Sequence, residues 1–455
     1  MPRNTRRSLP TVDAVVALRG PMIAWRGDPF EVGARRALLH EPDAIVAMTG
    51  GRIVHAGPAS LVLRKLPPRT RVERLPRHSL MAPGFVDAHV HYPQWPMVAS
   101  HGAQLLDWLA NHTFPSEAAF SDSRLASRVA RAYLDENLRQ GITSAAVFCT
   151  VHPGSVDALM REARARGFRL IAGKVLMDRN APRRLTDSAK RGYDESKALI
   201  ARWHGRGRLG YAITPRFAVT SSPAQLEAAG ALWREHPDCW VQSHVSENRG
   251  EVEWVRKLFP RARDYIDVYA RFGLVGPRAI YGHGIHLAER EWRALAASGS
   301  AIAHCPTSNL FLGSGLFRWD RAKKPARPVE VGLATDVGGG TSLSILRTMG
   351  AAYQVAQLSG WSMPPVHAFW LATQGSARAL GLASHIGNLA PGHEADLVVL
   401  DLASTPAIAQ RMERVGGVDE ALFVQMTMGD DRAIRQTWIG GRRLHDRDTA
   451  PARVR

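Results

Sequence analysis

From residue 82 to residue 384, short apolar runs alternate with longer stretches in which apolar residues recur at helical spacing. The runs at 84–91, 144–152, 170–177, 210–216, 240–244, 279–283, 300–305 and 330–336 read as strands. The stretches at 123–140, 156–166, 186–203, 224–235 and 288–297 read as helices. Eight strand-then-helix units in a row predict an α/β fold, a (β/α)8 barrel whose chemistry sits at the C-terminal ends of its strands. The flanks differ. Short strand-like runs at 15–18 and 44–48, and a Gly-Gly turn at 50–51 before 52–56, begin the chain. Runs at 395–400 and 436–439, with a second Gly-Gly turn at 440–441 before 442–445, close it. Two β-rich ends around a different middle predict that the termini pair into one small β module. The expected division is 1–81 and 385–455 for that module and 82–384 for the barrel.

Composition narrows the class. With 455 residues, 45% hydrophobic and 22% charged, the chain is ordinary globular protein, neither disordered nor fibrous. No run approaches the roughly 18 apolar residues of a membrane-spanning helix. The basic opening MPRNTRRSLP leads into no apolar signal core. Cys149, Cys239 and Cys305 can build neither a disulfide framework nor a C-x-x-C metal clip. A cytoplasmic protein with a loose charged N-terminal tail, without a membrane partner, is expected.

Charge complicates this. Lys and Arg number 59 against 41 Asp and Glu, a net +18, which could serve a polyanion. The arginines are scattered, however, with small clumps at 3–7, 183–184 and 261–263, and no zinc finger, aromatic RNA-binding strand or basic heptad accompanies them. A solvated surface is the better reading, and a nucleic-acid partner the weaker one.

The polar residues at the strand ends carry more information. The first strand ends Asp87-Ala-His89-Val-His91, and alternate side chains of a strand share a face, so two imidazoles point together about 6–7 Å apart. Among 18 histidines one such pair is near chance; its place at a strand end gives it weight. His244 ends the fifth strand, His283 the sixth and Asp336 the eighth. Gly332 and Ala334 on the face of Asp336 leave room at the barrel axis. Four neutral imidazoles and one carboxylate suit Zn²⁺, with Fe²⁺ as the other candidate. Glu247, three residues past His244, stands where a carboxylate could move a proton, and equally where one would begin the next helix. The fourth strand's end carries no lysine or bridging acid, and Lys174 falls within the third, so one metal is favoured over two. His304-Cys305-Pro306 reads mainly as packing, and Gly338 to Gly340 as a close backbone approach beside Asp336.

Together these segments resemble the amidohydrolase superfamily, and within it the bacterial guanine deaminases. The resemblance is carried by Pro83-Gly-Phe-Val-Asp-Ala-His-Val-His-Tyr-Pro-Gln94, Gln104-Leu-Leu-Asp-Trp-Leu109 with Thr113-Phe-Pro115, and Gly173-Lys-Val-Leu-Met-Asp178. It continues in Thr214-Pro-Arg-Phe217, Ser243-His-Val-Ser-Glu-Asn248, His304-Cys-Pro-Thr-Ser-Asn309 with Gly313-Ser-Gly315, and Thr335-Asp-Val337. It implies a (β/α)8 barrel with a terminal β-sandwich, a homodimer, and one zinc per subunit held by His89, His91, His244, His283 and Asp336. It also implies hydrolytic deamination of guanine to xanthine and ammonia in purine catabolism, with Glu247 shuttling protons and Asp336 assisting the water. Gln94, Arg216 and Phe217 match purine-contacting positions, and Trp108 walls the pocket. An arginine fork suits the carbonyl and N7 edge of guanine, and an aromatic ring stacks on a flat base. The Arg-rich N-terminus lies outside the resemblance. Two other readings stay open: a mononuclear relative acting on a triazine or adenine-type base, and a nucleic-acid-binding protein with a structural metal.

Overall fold

The computed structural model describes residues 15–102 and 104–449. The arginine clump at 3–7 lies outside the described residues.

The barrel forms as expected. Its eight strands are Phe85–His91, Ile142–Phe148, Arg169–Gly173, Leu209–Pro215, Trp240–Val245, Ala279–His283, Ala301–His304 and Glu330–Leu333, all parallel and in chain order. A short strand, Val175–Leu176, continues the third and pairs with the fourth. The ring closes through backbone bonds beyond the eighth strand: Asp336 N–H to the His89 carbonyl at 2.9 Å, and His91 N–H to the Val337 carbonyl at 3.0 Å. Ile142–Phe148 is buried at every position, which is why its small and apolar residues do not alternate with charged ones.

Local chemistry sets the helices. Asp122 caps Ser123–Arg139 by accepting from the Arg124 amide, and that helix buries Val129, Ala130, Tyr133, Leu134 and Leu138. Pro153–Arg166 ends at Gly167, whose φ of 69° suits a residue without a Cβ.

Both termini build a second, eight-stranded sheet. Its centre is the antiparallel pair Ser79–Pro83 and Leu397–Asp401. Val16–Trp25, Leu38–Thr49 and Arg52–Pro58 extend it on one side, and Ile434–Ile439 and Arg442–Asp446 on the other. The two Gly-Gly turns have positive φ at both residues (55° and 76°, then 55° and 73°), the twist that a tight hairpin requires. Between its last strands the chain differs from expectation. Pro406–Met412 and Val418–Met428 are helices, and the second buries Ala421, Leu422, Val424, Gln425 and Met426 with no polar stripe to announce a helix.

Arginines join the two bodies. Arg169 donates to Glu394 at 2.8 Å and Arg208 to Asp396 at 3.0 Å. Arg378 reaches Asp28 at 3.1 Å and Glu330 at 2.6 Å, whereas Arg435 and Arg447 meet on Asp401 within the terminal module itself. These arginines are thus engaged within the molecule, although such pairs leave the net charge of +18 unchanged. Among the described residues no helix is long and apolar enough to cross a membrane.

Candidate active site

The first strand does not alternate strictly. Its register slips between Asp87 and Val90, which oppose Ala145 and Val147. This bulge lets Ala88 pack with Ala146, Ala212, Ala303 and Ala334 low in the barrel, while His89 and His91 both reach the polar cluster above. The ring of His89 lies over Gly282, where a Cβ would come within 2.8 Å of its Cε1. His283 follows with φ of 73°, and Asp336, three residues past the last strand, has φ of 47°. Both are left-handed non-glycine residues, a strained backbone of the kind that collects at functional sites.

Five side chains converge there. Asp336 Oδ1 is 3.3 Å from Nε2 of His89 and 3.6 Å from Nε2 of His91, and its Oδ2 is 3.7 Å from Nε2 of His283. His91 and His244 bring their Nε2 atoms to 3.0 Å. The donor atoms of His89, His91, His244 and Asp336 lie within 4.8 Å of one another, and those of His89, His283, Cys305 and Asp336 form an overlapping set.

Partners outside the cluster fix the rings. His244 Nδ1 meets the Arg216 carbonyl at 2.7 Å and His283 Nδ1 meets Asn309 Oδ1 at 2.8 Å, which turns each Nε2 lone pair inward. Nε2 of His89 and Nδ1 of His91 are buried without a hydrogen-bond partner among the described residues. Burial holds His89, His91 and His244 below the usual histidine range, which favours the neutral imidazole. Burial would lower His283 too, but Glu247 and Asp336 raise it overall. Burial would raise Asp336, yet His89 and His283 keep it low. Inward lone pairs, orphaned nitrogens and an ionised carboxylate fit a divalent metal with nitrogen and oxygen ligands. Cys305 fits poorly: burial pushes its thiol well up, and Sγ lies 3.3 Å from the Ala303 carbonyl.

The spacing left Glu247 two readings, and the next helix is in fact started by its neighbours. Asn248 caps Arg249–Leu258, and Glu251 completes the capping box. Glu251 also accepts from the Glu247 amide at 2.8 Å and the Tyr265 hydroxyl at 2.7 Å. The Glu247 side chain is free to face the cavity, 3.4 Å from His283 Nε2, with the Ser314 hydroxyl donating to it at 3.2 Å. Burial pushes its carboxyl up to about 7.

A cavity opens onto this cluster. Gln94, Trp108, Arg216 and Phe217 line it together with His91, His244, Glu247, His283 and Asp336, so the expected substrate contacts and most of the metal-type residues share one space. Trp108 is held by its indole N–H, which donates to the Ser100 carbonyl at 3.1 Å. Gly338 donates its amide to Gln94 Oε1 at 3.1 Å, and a Cβ on Gly340 would lie 1.8 Å from the Thr335 carbonyl, so the glycine run is a close approach. His304 is buried with its ring 4.5 Å from that of Phe317, a packing role. Lys174 is buried against Asp187 and Glu195.

One residue went unread in the sequence. Glu117, fully buried behind the cavity wall, takes Arg216 Nη1 on both oxygens at 2.8 and 2.7 Å and Gln94 Nε2 at 2.9 Å. A charged residue two places after Thr-Phe-Pro, in a segment otherwise expected to wall a pocket, was the available signal.

The comparisons agree with this geometry. A model of the amidohydrolase family matches residues 80–444. The guanine deaminase of Escherichia coli (strain K12) is 46% identical over 421 residues, 92% of this chain and 95% of that protein. A solved structure of E. coli guanine deaminase superposes with a TM-score of 0.92 at 45% identity, covering 95% of this chain and 99% of that one. A guanine deaminase from C. acetobutylicum, solved with guanine bound in its active site, superposes with a TM-score of 0.85 at 25% identity, covering 95% and 100%. The chain belongs to the amidohydrolase family, in its guanine deaminase branch.

Proposed function

We propose that this protein hydrolyses guanine to xanthine and ammonia with one bound zinc ion. The reading rests on one observation above the rest: the cavity that opens onto the histidine–aspartate cluster is also walled by Gln94, Arg216, Phe217 and Trp108. His89, His91, His244, His283 and Asp336 would hold the metal. When bound, it supplies the Lewis acidity that makes water a nucleophile near neutral pH.

The chain's own residues do the rest. Phe217 and Trp108 give apolar walls for a flat base. Arg216 presents Nε and Nη2 to the six-carbonyl, where negative charge develops as C2 is attacked. Asp336, ionised at rest, takes the proton that the attacking water gives up. The Glu247 carboxyl, pushed up to about 7 by burial, is thereby favoured to hold a proton to give. It delivers a proton to the ring nitrogen beside C2, which makes that carbon electrophilic. A second proton leaves with the former 2-amino group as ammonia, and C2 keeps the oxygen of water. Cytoplasmic residence, a homodimer and a place in purine catabolism belong to the same proposal, supported by the family resemblance.

The test is purified protein with its metal content measured, assayed for ammonia release from guanine, adenine, cytosine and melamine in parallel. Stoichiometric zinc with release from guanine is expected. Release from another base but not from guanine overturns the assignment.

A further inference from the structure

We propose that Glu117 is a positioning residue that makes the pocket selective for uncharged bases and weakens its hold on an anionic product. The inference rests on the proposed guanine chemistry and extends it to a residue with no part in proton transfer.

Arg216 has five N–H donors. Nη1 is committed to both oxygens of Glu117, Nε and Nη2 have no hydrogen-bond partner among the described residues, and the side chain lines the cavity. Gln94 is pinned from two sides. Its Oε1 accepts from the Gly338 amide and its Nε2 donates to Glu117, so the amide cannot flip and offers its remaining N–H to the cavity. One carboxylate therefore orients two recognition groups that follow different strands, and its charge offsets that of Arg216. The pair is buried, with side-chain exposures of 3% and 0%, so water does little to screen it. Against the pocket, the paired guanidinium acts as a neutral donor fork rather than a free cation.

The difference matters for one ligand of the reaction more than the other. Guanine is uncharged near neutrality. Xanthine, with a carbonyl where guanine has an amine, loses a ring proton at mildly alkaline pH and becomes a monoanion. A lone buried guanidinium would attract that anion; a neutralised one presents the same hydrogen bonds without the net charge. Other groups on the cavity can change charge with pH, among them His91, His244, Glu247, Glu251, His283 and Asp336. A neutral reference ligand is therefore needed, and hypoxanthine, which keeps the six-carbonyl and stays uncharged at the same pH, supplies it.

The experiment titrates the metal-loaded protein with xanthine and with hypoxanthine by calorimetry at mildly alkaline pH. The ratio of the two affinities is the readout, since a residue that merely supports the fold would move both together. Glu117→Gln keeps the shape and removes the charge, and should shift the ratio towards xanthine by about tenfold. Glu117→Asp keeps the charge and withdraws it by one methylene, so it should hold the parent ratio while kcat/KM for guanine falls. The parent alone provides a third measurement that no folding defect can spoil. Relative to hypoxanthine, its xanthine affinity should not rise as xanthine ionises. An unchanged ratio in Glu117→Gln, or a tenfold tightening of the parent on xanthine ionisation, overturns the proposal. Absence of ammonia release from guanine by the parent overturns the proposed function instead, so the two failures are distinct.

Discussion

Asp336 donates its backbone amide to the carbonyl of His89 at 2.9 Å, so the seam that closes the barrel runs through two residues of the polar cluster. Asp87 reinforces the seam, accepting from the amide of Thr335 at 3.0 Å and from its hydroxyl. The first and last strands cannot part without separating the side chains on which a metal would depend.

Asp87→Ala should therefore act on fold and metal together. It leaves the buried Thr335 amide unpaired, at a cost of about 2 kcal/mol. Denaturant unfolding should show the lowered midpoint, and elemental analysis reduced zinc. Normal zinc content with parental stability would remove the seam from the account.

Glu247→Gln preserves size and burial but removes the proton donor. Turnover of guanine should fall about 1000-fold, the scale of a general acid–base contribution, with zinc content unchanged. Near-parental kcat would end the role assigned to Glu247.

Arg216→Ala should raise KM for guanine and lower kcat/KM by about 100-fold, because a charge-assisted contact to the six-carbonyl is lost. It also leaves Glu117 buried without its partner, so a stability loss of about 3 kcal/mol is expected beside the kinetic one. Replacing Glu117 and Arg216 together by Gln and Met should recover part of the stability and none of the activity. Recovered activity would show that Arg216 does not meet the substrate.

Away from the site, Asp267 gives a stability that depends on pH. Burial alone would raise its carboxyl, but Arg263 and Arg271 hold it well below the usual range. A depressed folded value means that the contribution is present above the unfolded value of about 4 and fades as pH falls through the folded one. Asp267→Asn should lower Tm at neutral pH, and the gap to the parent should shrink steadily below about pH 4. A gap independent of pH would mean that the loss is packing.

The sequence made the barrel legible because each strand is an apolar run closed by a polar residue, and strand ends are where this fold places chemistry. His244 and His283 could be placed from that rule alone. What it could not supply came from geometry off the period. Strict alternation does not foresee the bulge at Asp87, which puts Ala88 and His89 on one side of the strand. The position of Glu247 fits a helix start as well as a proton carrier, and only the side chains show that Asn248 and Glu251 do the capping. Glu117 was invisible because its partner lies 99 positions along the chain. Val418–Met428 has no legible period because a helix buried on most of its circumference has no polar face to mark it.

The pairing of Ser79–Pro83 with Leu397–Asp401 has a consequence in time as well as in space. A ribosome releases the N-terminal strands more than 300 residues before the strand that completes their sheet, as the numbering of the two partners requires. Throughout that interval, while barrel strands emerge and begin to pair, the edge at Ser79–Pro83 has no partner from its own chain. Unpaired edges of this kind invite contact with other chains. Nascent protein is thus most exposed to mispairing until the strand Leu397–Asp401 emerges and ends that exposure.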